Sequence, residues 1–260
     1  MKNFLPILLV LAAAGQAHAE LQTKTVDYKH GDTTLKGHLV YDDSLTGKRP
    51  GVLVVHEWWG LDDYARSRAN QLAKLGYVAF AADMYGEGKV TEHPAEAREM
   101  ASQVRANVEE WQKRALAGLE ILKTHELVDP DRLAAIGYCF GGATVLQLAY
   151  SGADLDAVVS FHGALPTPTS EQEKQIMAKI LICHGAADSF IPPDQIHALV
   201  AALTRAGADW QMVFYGHAKH SFTNPGADDH GLDGIAYNEK ADKRSWRDMR
   251  QLFGETVSNR

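Results

Sequence analysis

From residue 20 onward the hydrophobic positions repeat either every second residue or every three to four, the periods of strands and of helices. Thr23 to Tyr28 and Thr34 to Tyr41 alternate apolar and polar residues around His30-Gly31-Asp32, which predicts a β-hairpin. Leu45 to Pro50 reads as a turn. Gly51-Val52-Leu53-Val54-Val55 is a continuous apolar run, the pattern of a parallel strand covered on both faces. Asp62 or Asp63 then caps a helix with Leu61, Ala65, Ala69, Leu72 and Leu75 on one face, and Gly76 closes it. Tyr77 to Ala82 is the next strand. Pro94 opens a helical region to about Lys123, with Trp111, Ala115, Leu119 and Leu122 at core spacing. Further strands are predicted at Asp131–Ile136, Asp156–Phe161, Ile180–His184 and Trp210–Tyr215, and further helices at Ala143–Tyr150, Ile196–Ala206 and Tyr237–Phe253. A polar, proline-bearing loop around Pro166, Pro168 and Ser170 interrupts them. Strands alternating with helices through right-handed connections give an α/β fold: a mostly parallel sheet, helices on both faces, the N-terminal antiparallel hairpin at one edge. Functional residues of such sheets gather at the carboxyl ends of the strands.

One of those strand ends is Ile136-Gly137-Tyr138-Cys139-Phe140-Gly141-Gly142. Gly-x-Cys-x-Gly between a strand and a helix has the form of the sharp turn that carries the nucleophile in α/β-hydrolases, normally as Gly-x-Ser-x-Gly. The apex residue takes a strained backbone so that its side chain stands clear of the sheet. The residues two before and two after it approach other backbone, where a small residue fits best. A cysteine at the apex also meets the free N–H groups and positive dipole end of the following helix, which favour a thiolate.

Composition narrows the class. The chain has 260 residues with 45% hydrophobic content, enough for one globular domain with a full core over residues 20–260. Lys2, the apolar run Phe4 to Ala14 and Ala17-His18-Ala19 before Glu20 read as a signal peptide over residues 1–19, so the chain is expected to be exported, to the periplasm or beyond. The run is too short to span a bilayer. With no cysteine near the cleavage point, no membrane anchor is expected. Removing Lys2 takes the formal charge from −7 to −8, and no Lys/Arg run marks a nucleic-acid or anionic-membrane partner. A monomer is the expected state. Cys139 and Cys183 fall at the ends of different strands, and a bridge between them would silence the nucleophile, so free thiols are expected. The chain also lacks the Cys-x-x-Cys of a thiol-redox protein.

A thiol nucleophile needs a base, and the base an orienting group. Asp188 lies just past the strand ending at His184, and His220 lies in the loop after the last strand. The chain order Cys139, Asp188, His220 is the α/β-hydrolase order of nucleophile, acid and base. His217 is the nearest rival base. His56, His162 and His184 sit at strand ends and read as hydrogen-bonded residues lining the site. His30, His38, His93, His125, His197 and His230 read as surface residues. No histidine cluster has convincing metal spacing and no cofactor is implied. For the oxyanion of acyl transfer, the backbone N–H of Phe140 is one donor and that of Trp58, in the loop after Val55, the other.

Gly137-Tyr138-Cys139-Phe140-Gly141-Gly142, His56-Glu57-Trp58-Trp59-Gly60, the Asp188 loop and His220-Ser221-Phe222 together resemble the dienelactone hydrolase (carboxymethylenebutenolidase) family, over about Val26 to Phe253. The resemblance implies a Cys139–His220–Asp188 triad on an α/β-hydrolase fold and an oxyanion hole from Phe140 and Trp58. It gives Glu57 a role too: a carboxylate beside the resting thiol that rearranges when substrate binds, so that the thiolate appears only then. In the family's lactonases two arginines and a tyrosine hold the substrate carboxylate. Arg98 matches the first arginine, Ser102 stands at the tyrosine position and Asn224 at the second arginine's, so a bidentate contact is missing and a dienelactone is not the expected natural substrate.

Thiolate leaves a tetrahedral intermediate more readily than an ordinary alkoxide. A cysteine enzyme therefore reverts on plain alkyl esters and goes forward on enol lactones or aryl esters. The expected activity is hydrolysis of activated small-molecule esters or lactones; the alternative is a non-catalytic ligand-binding protein on the same scaffold.

Overall fold

The computed structural model describes residues 20–258; the segment read as a signal peptide lies outside them. The alternating stretches form the antiparallel pair β1 (Leu21–His30) and β2 (Thr33–Asp42), which turns at Gly31 with φ +57°. The apolar runs form β3 (Arg49–Val55), β4 (Val78–Ala82), β5 (Val128–Tyr138), β6 (Ala157–Phe161), β7 (Lys179–Gly185) and β8 (Trp210–Tyr215). All join one eight-stranded sheet in the order β1-β2-β4-β3-β5-β6-β7-β8. Pairing from β4 through β8 is parallel, while β2 meets β4 antiparallel, so the hairpin edges the sheet as expected.

Two apolar layers follow from the strand pleat. Leu53, Val55, Leu133 and Ala135 face one side, packed under α2 (Pro94–Arg105), α3 (Val108–Lys123), α4 (Phe140–Tyr150) and α6 (Pro193–Arg205). Their neighbours Val52, Val54, Ala134 and Ile136 face the other, under α1 (Asp63–Lys74) and α7 (Glu239–Thr256). α4 is buried along its whole length, which explains its lack of charge. Burial at roughly 25 cal/mol per Å² on both faces makes these central strands the rigid base of the molecule.

Several details depart from the sequence reading. The region from Pro94 to Lys123 is two helices: α2 ends at Arg105, and Asn107, extended at φ −129°, caps α3 by accepting from the Glu110 N–H. Leu75 is exposed rather than on the buried face of α1, because it is the C-cap residue ahead of Gly76 at φ +93°. The proline-bearing loop holds one short turn, α5 (Ser170–Glu173), closed by a Thr169/Gln172 capping box. His38 is buried, not at the surface: α1 covers β2, and His38 Nε2 lies 3.1 Å from Asn70 Oδ1. His30, His125 and His230 are partly buried; His93 and His197 are exposed.

Candidate active site

β5 ends at Tyr138 and α4 begins at Phe140, which leaves Cys139 a single residue in which to turn the chain. It does so at φ 51°, ψ −109°, a strain of order 1–3 kcal/mol for a residue with a Cβ. The flanking glycines are steric requirements. A Cβ on Gly137 would lie 2.0 Å from the Gly141 carbonyl oxygen, and one on Gly141 would lie 2.1 Å from the Val55 carbonyl oxygen. The Cys139 thiol is free and partly exposed at the head of α4. Cys183 is free as well, but buried on β7, where burial pushes its thiol up to about 12.

His220 follows β8. Its Nδ1 lies 2.7 Å from Asp188 Oδ2, and Cys139 is its other hydrogen-bond partner. With Nδ1 committed to the carboxylate, Nε2 is the nitrogen left for sulfur. Burial works against the imidazolium, yet the charge of Cys139 and the hydrogen bonds to Asp188 and Cys139 outweigh it, so the His220 pKa is raised. Asp188 is fixed in turn, its second oxygen accepting from the Phe190 N–H at 2.9 Å. His217 is exposed and takes no part.

Glu57 lies behind this row, 1% exposed. Its Oε1 accepts from Ser221 Oγ at 2.7 Å and its Oε2 from Asn224 Nδ2 at 2.6 Å. Burial raises the carboxyl to about 7 against the pull of those two donors. Asn224, expected to contact substrate, is used up here: its Oδ1 accepts from the Gly226 N–H at 2.9 Å while its amide holds Glu57. The reason is local. Ser221 sits at φ 55°, which turns Ser221 and Asn224 inward.

His162 also departs from expectation. It is wholly buried behind His220, ring centroids 5.4 Å apart, with Nε2 2.6 Å from Thr223 Oγ1, and it does not line the cavity. Burial holds it well below its usual pKa, so its Nδ1, 3.9 Å from Glu57, is a neutral neighbour rather than an ion-pair partner. His56 and His184, also expected to line the site, lie behind it. His56 accepts the Met84 N–H at Nε2 and donates from Nδ1 to the Glu57 carbonyl, fixing the loop that carries Trp58. His184 packs against Phe214. Phe140, first residue of α4, has no intrahelical acceptor for its N–H, and its ring stacks on those of His56 and Trp111.

Two adjoining lobes meet at Cys139 and His220 and share Trp58, Arg98 and Phe190. One, of about 410 Å³, is walled by Pro94, Leu232, Ile235 and Asp233. The other, of about 320 Å³, is walled by Ala101, Ser102, Arg105, Ala164, Ile191 and Gln195. Arg98 and Ser102, matched along the chain to family substrate-holding positions, line this cavity. Arg105 is a lining residue that reading missed; its signal was the spacing Arg98, Ser102, Arg105, which puts all three on one face of a helix.

A strained cysteine elbow, an acid loop and a histidine loop along the carboxyl edge of such a sheet define an α/β-hydrolase. Comparison with family models resolves the class further: the dienelactone hydrolase family model matches residues 35–257, and the chain belongs to that family. Among solved structures, m3DLH is 43% identical with a TM-score of 0.89, over 92% of this chain and 99% of its own. A dienelactone hydrolase-like promiscuous phosphotriesterase, P91 from metagenomic libraries, is 40% identical with a TM-score of 0.89 over the same shares. Protein usf of Aquifex pyrophilus is 30% identical over 69% of this chain and 79% of its own length.

Proposed function

We propose that this protein is a cysteine-dependent hydrolase of activated carboxylic esters or lactones. The observation that carries the reading is the unbroken row Cys139–His220–Asp188, with the 2.7 Å Nδ1–Oδ2 bond at one end and a strained, accessible thiol at the other. Cys139 Sγ attacks the carbonyl carbon as its proton rests on His220 Nε2, and the oxyanion is met by the Phe140 and Trp58 backbone N–H groups. Collapse breaks the bond to the leaving oxygen, which takes the proton from His220. Water, deprotonated by His220, then attacks the acyl-thioester and releases the acid and the thiol. Asp188 orients the ring throughout and stabilises its charged form.

The same leaving-group argument sets the substrate. Aryl and enol oxygens depart in preference to thiolate, whereas simple alkoxides and amines do not. The promiscuous phosphotriesterase activity of the relative P91 fits this logic, since a phosphotriester with a stabilised leaving group offers a comparable electrophile. Export is part of the proposal and rests on Lys2, the apolar run and Ala17-His18-Ala19. The test is turnover of a panel of p-nitrophenyl esters, enol lactones, alkyl esters and peptides, with Cys139→Ala and with a thiol reagent. Fast cleavage of the first two classes, abolished by either treatment, is expected. Peptide cleavage outpacing aryl-ester cleavage, or activity indifferent to the thiol, refutes it. N-terminal sequencing of protein recovered from the periplasm or medium, beginning at Glu20, tests export.

A further inference from the structure

Resting on the ester-hydrolase reading of this site, we propose that residues 226–237 form a strap that sets the size of the apolar group the enzyme accepts, and that His230, outside the cavity, is the positioning residue that holds the strap by stacking on Trp59. The strap contributes Leu232 and Ile235 to the apolar lobe, which Trp58, Pro94 and Phe190 complete.

The strap is anchored at two ends. At the first, the Gly226 N–H donates to the Asn224 side-chain oxygen at 2.9 Å and the Ala227 N–H to the Asn224 carbonyl at 3.0 Å. At the second it pairs with the main chain of the proposed base: the His220 N–H donates to the Gly234 carbonyl and the Ala236 N–H to the His220 carbonyl, both at 3.2 Å. Gly234, at φ +90°, runs directly against the other wall of the lobe, since a Cβ there would lie 3.0 Å from the Phe190 ring. Between the anchors, the hydrogen bonds of residues 228–233 stay within the strap among the described residues: Asp229 to Gly226, Gly231 to Asp228, Ile235 to Leu232 and Tyr237 to Asp228. This stretch carries Leu232, and the ring that ties it to the body of the molecule is that of His230. Its centroid lies 3.9 Å from that of Trp59, with the planes 11° apart. Trp59 is a fixed platform. It is 2% exposed, its carbonyl accepts the Thr91 N–H at 2.9 Å, and its ring meets that of Trp58 edge-on at 4.8 Å. Neither His230 nor Trp59 lines the cavity. A stacked pair contributes beyond the area it buries, and a wall already held in place need not be ordered by the ligand that packs on it.

The test compares small and large esters in two series, one for each side of the scissile bond. One varies the acyl chain, as p-nitrophenyl acetate against p-nitrophenyl hexanoate. The other varies the leaving group, as phenyl acetate against 2-naphthyl acetate. In at least one series the unaltered protein is expected to favour the larger ester through a lower KM. His230→Ala is expected to reduce that preference in kcat/KM about three- to tenfold, through KM, with kcat on p-nitrophenyl acetate held within about twofold. His230→Phe, which restores a flat ring on Trp59, is expected to recover most of it. Leu232→Ala, which removes part of the wall and leaves the stack, is expected to lose the preference as well. A preference that His230→Ala leaves unchanged overturns the strap, whatever happens to the urea midpoint, and so does a His230→Phe variant no better than His230→Ala. Should His230→Ala not fold, an unchanged preference in Leu232→Ala overturns it. A lack of preference for the larger ester in both series overturns the strap and leaves the hydrolase reading intact. Failure of the unaltered protein to turn over the small esters overturns both.

Discussion

Glu57→Gln gives the sharpest account of what the buried carboxyl costs. An ordinary glutamate ionises near 4.5; burial raises Glu57 to about 7 even with Ser221 and Asn224 donating to it. Between those values the unfolded chain gives up the proton and the native protein keeps it. The native state binds more protons there, so stability falls as pH rises from 4.5 to 7, and the whole loss is in place above 7. At 1.36 kcal/mol per pH unit the loss is about 3 kcal/mol. Glutamine mimics the protonated acid. Its oxygen accepts from Asn224, and its amide donates to Ser221 Oγ, whose hydroxyl turns to accept. The variant is thus expected to match the unaltered protein at about pH 4 and to exceed it by about 3 kcal/mol at about pH 8, or on the order of 10 °C in Tm. Urea unfolding followed by tryptophan fluorescence at several pH values reads this directly. A stability difference that does not change with pH refutes the reasoning.

The remaining predictions concern the elbow and its partners. Alkylation of the native protein with iodoacetamide is expected to modify Cys139 and spare Cys183, and mass mapping that finds Cys183 modified first contradicts the burial assigned to it. Asp188→Asn is expected to cost on the order of 10³–10⁴-fold in kcat on aryl esters with little change in KM, because the ring loses its orienting acceptor; kinetics showing less than a tenfold loss place the acid elsewhere. Gly141→Ala is expected to destabilise by about 3 kcal/mol or more, its methyl group falling 2.1 Å from the Val55 carbonyl oxygen, and an unchanged urea midpoint shows the elbow to be looser than drawn.

What the sequence disclosed, and what it hid, divides along one physical line. The sheet, its helices and the residues at the strand ends were legible because each depends on local periodicity or on a glycine demanded by a close backbone approach, as at Gly137 and Gly141. The division of labour behind the row was not. Glu57 and Asn224 are 167 residues apart, and they meet because Ser221 adopts a left-handed backbone that no side-chain pattern announces. The same holds for His162, at φ 39°, whose ring turns toward Thr223 instead of the cavity. The split between α2 and α3 is a different case, since Asn107 three residues before Glu110 was a readable cap, submerged by the longer apolar rhythm around it. An asparagine where related lactonases carry an arginine reads, along the chain, as a lost substrate contact. In the fold it is a neutral donor to a carboxyl that titrates near neutrality, so the substitution alters how Glu57 is held.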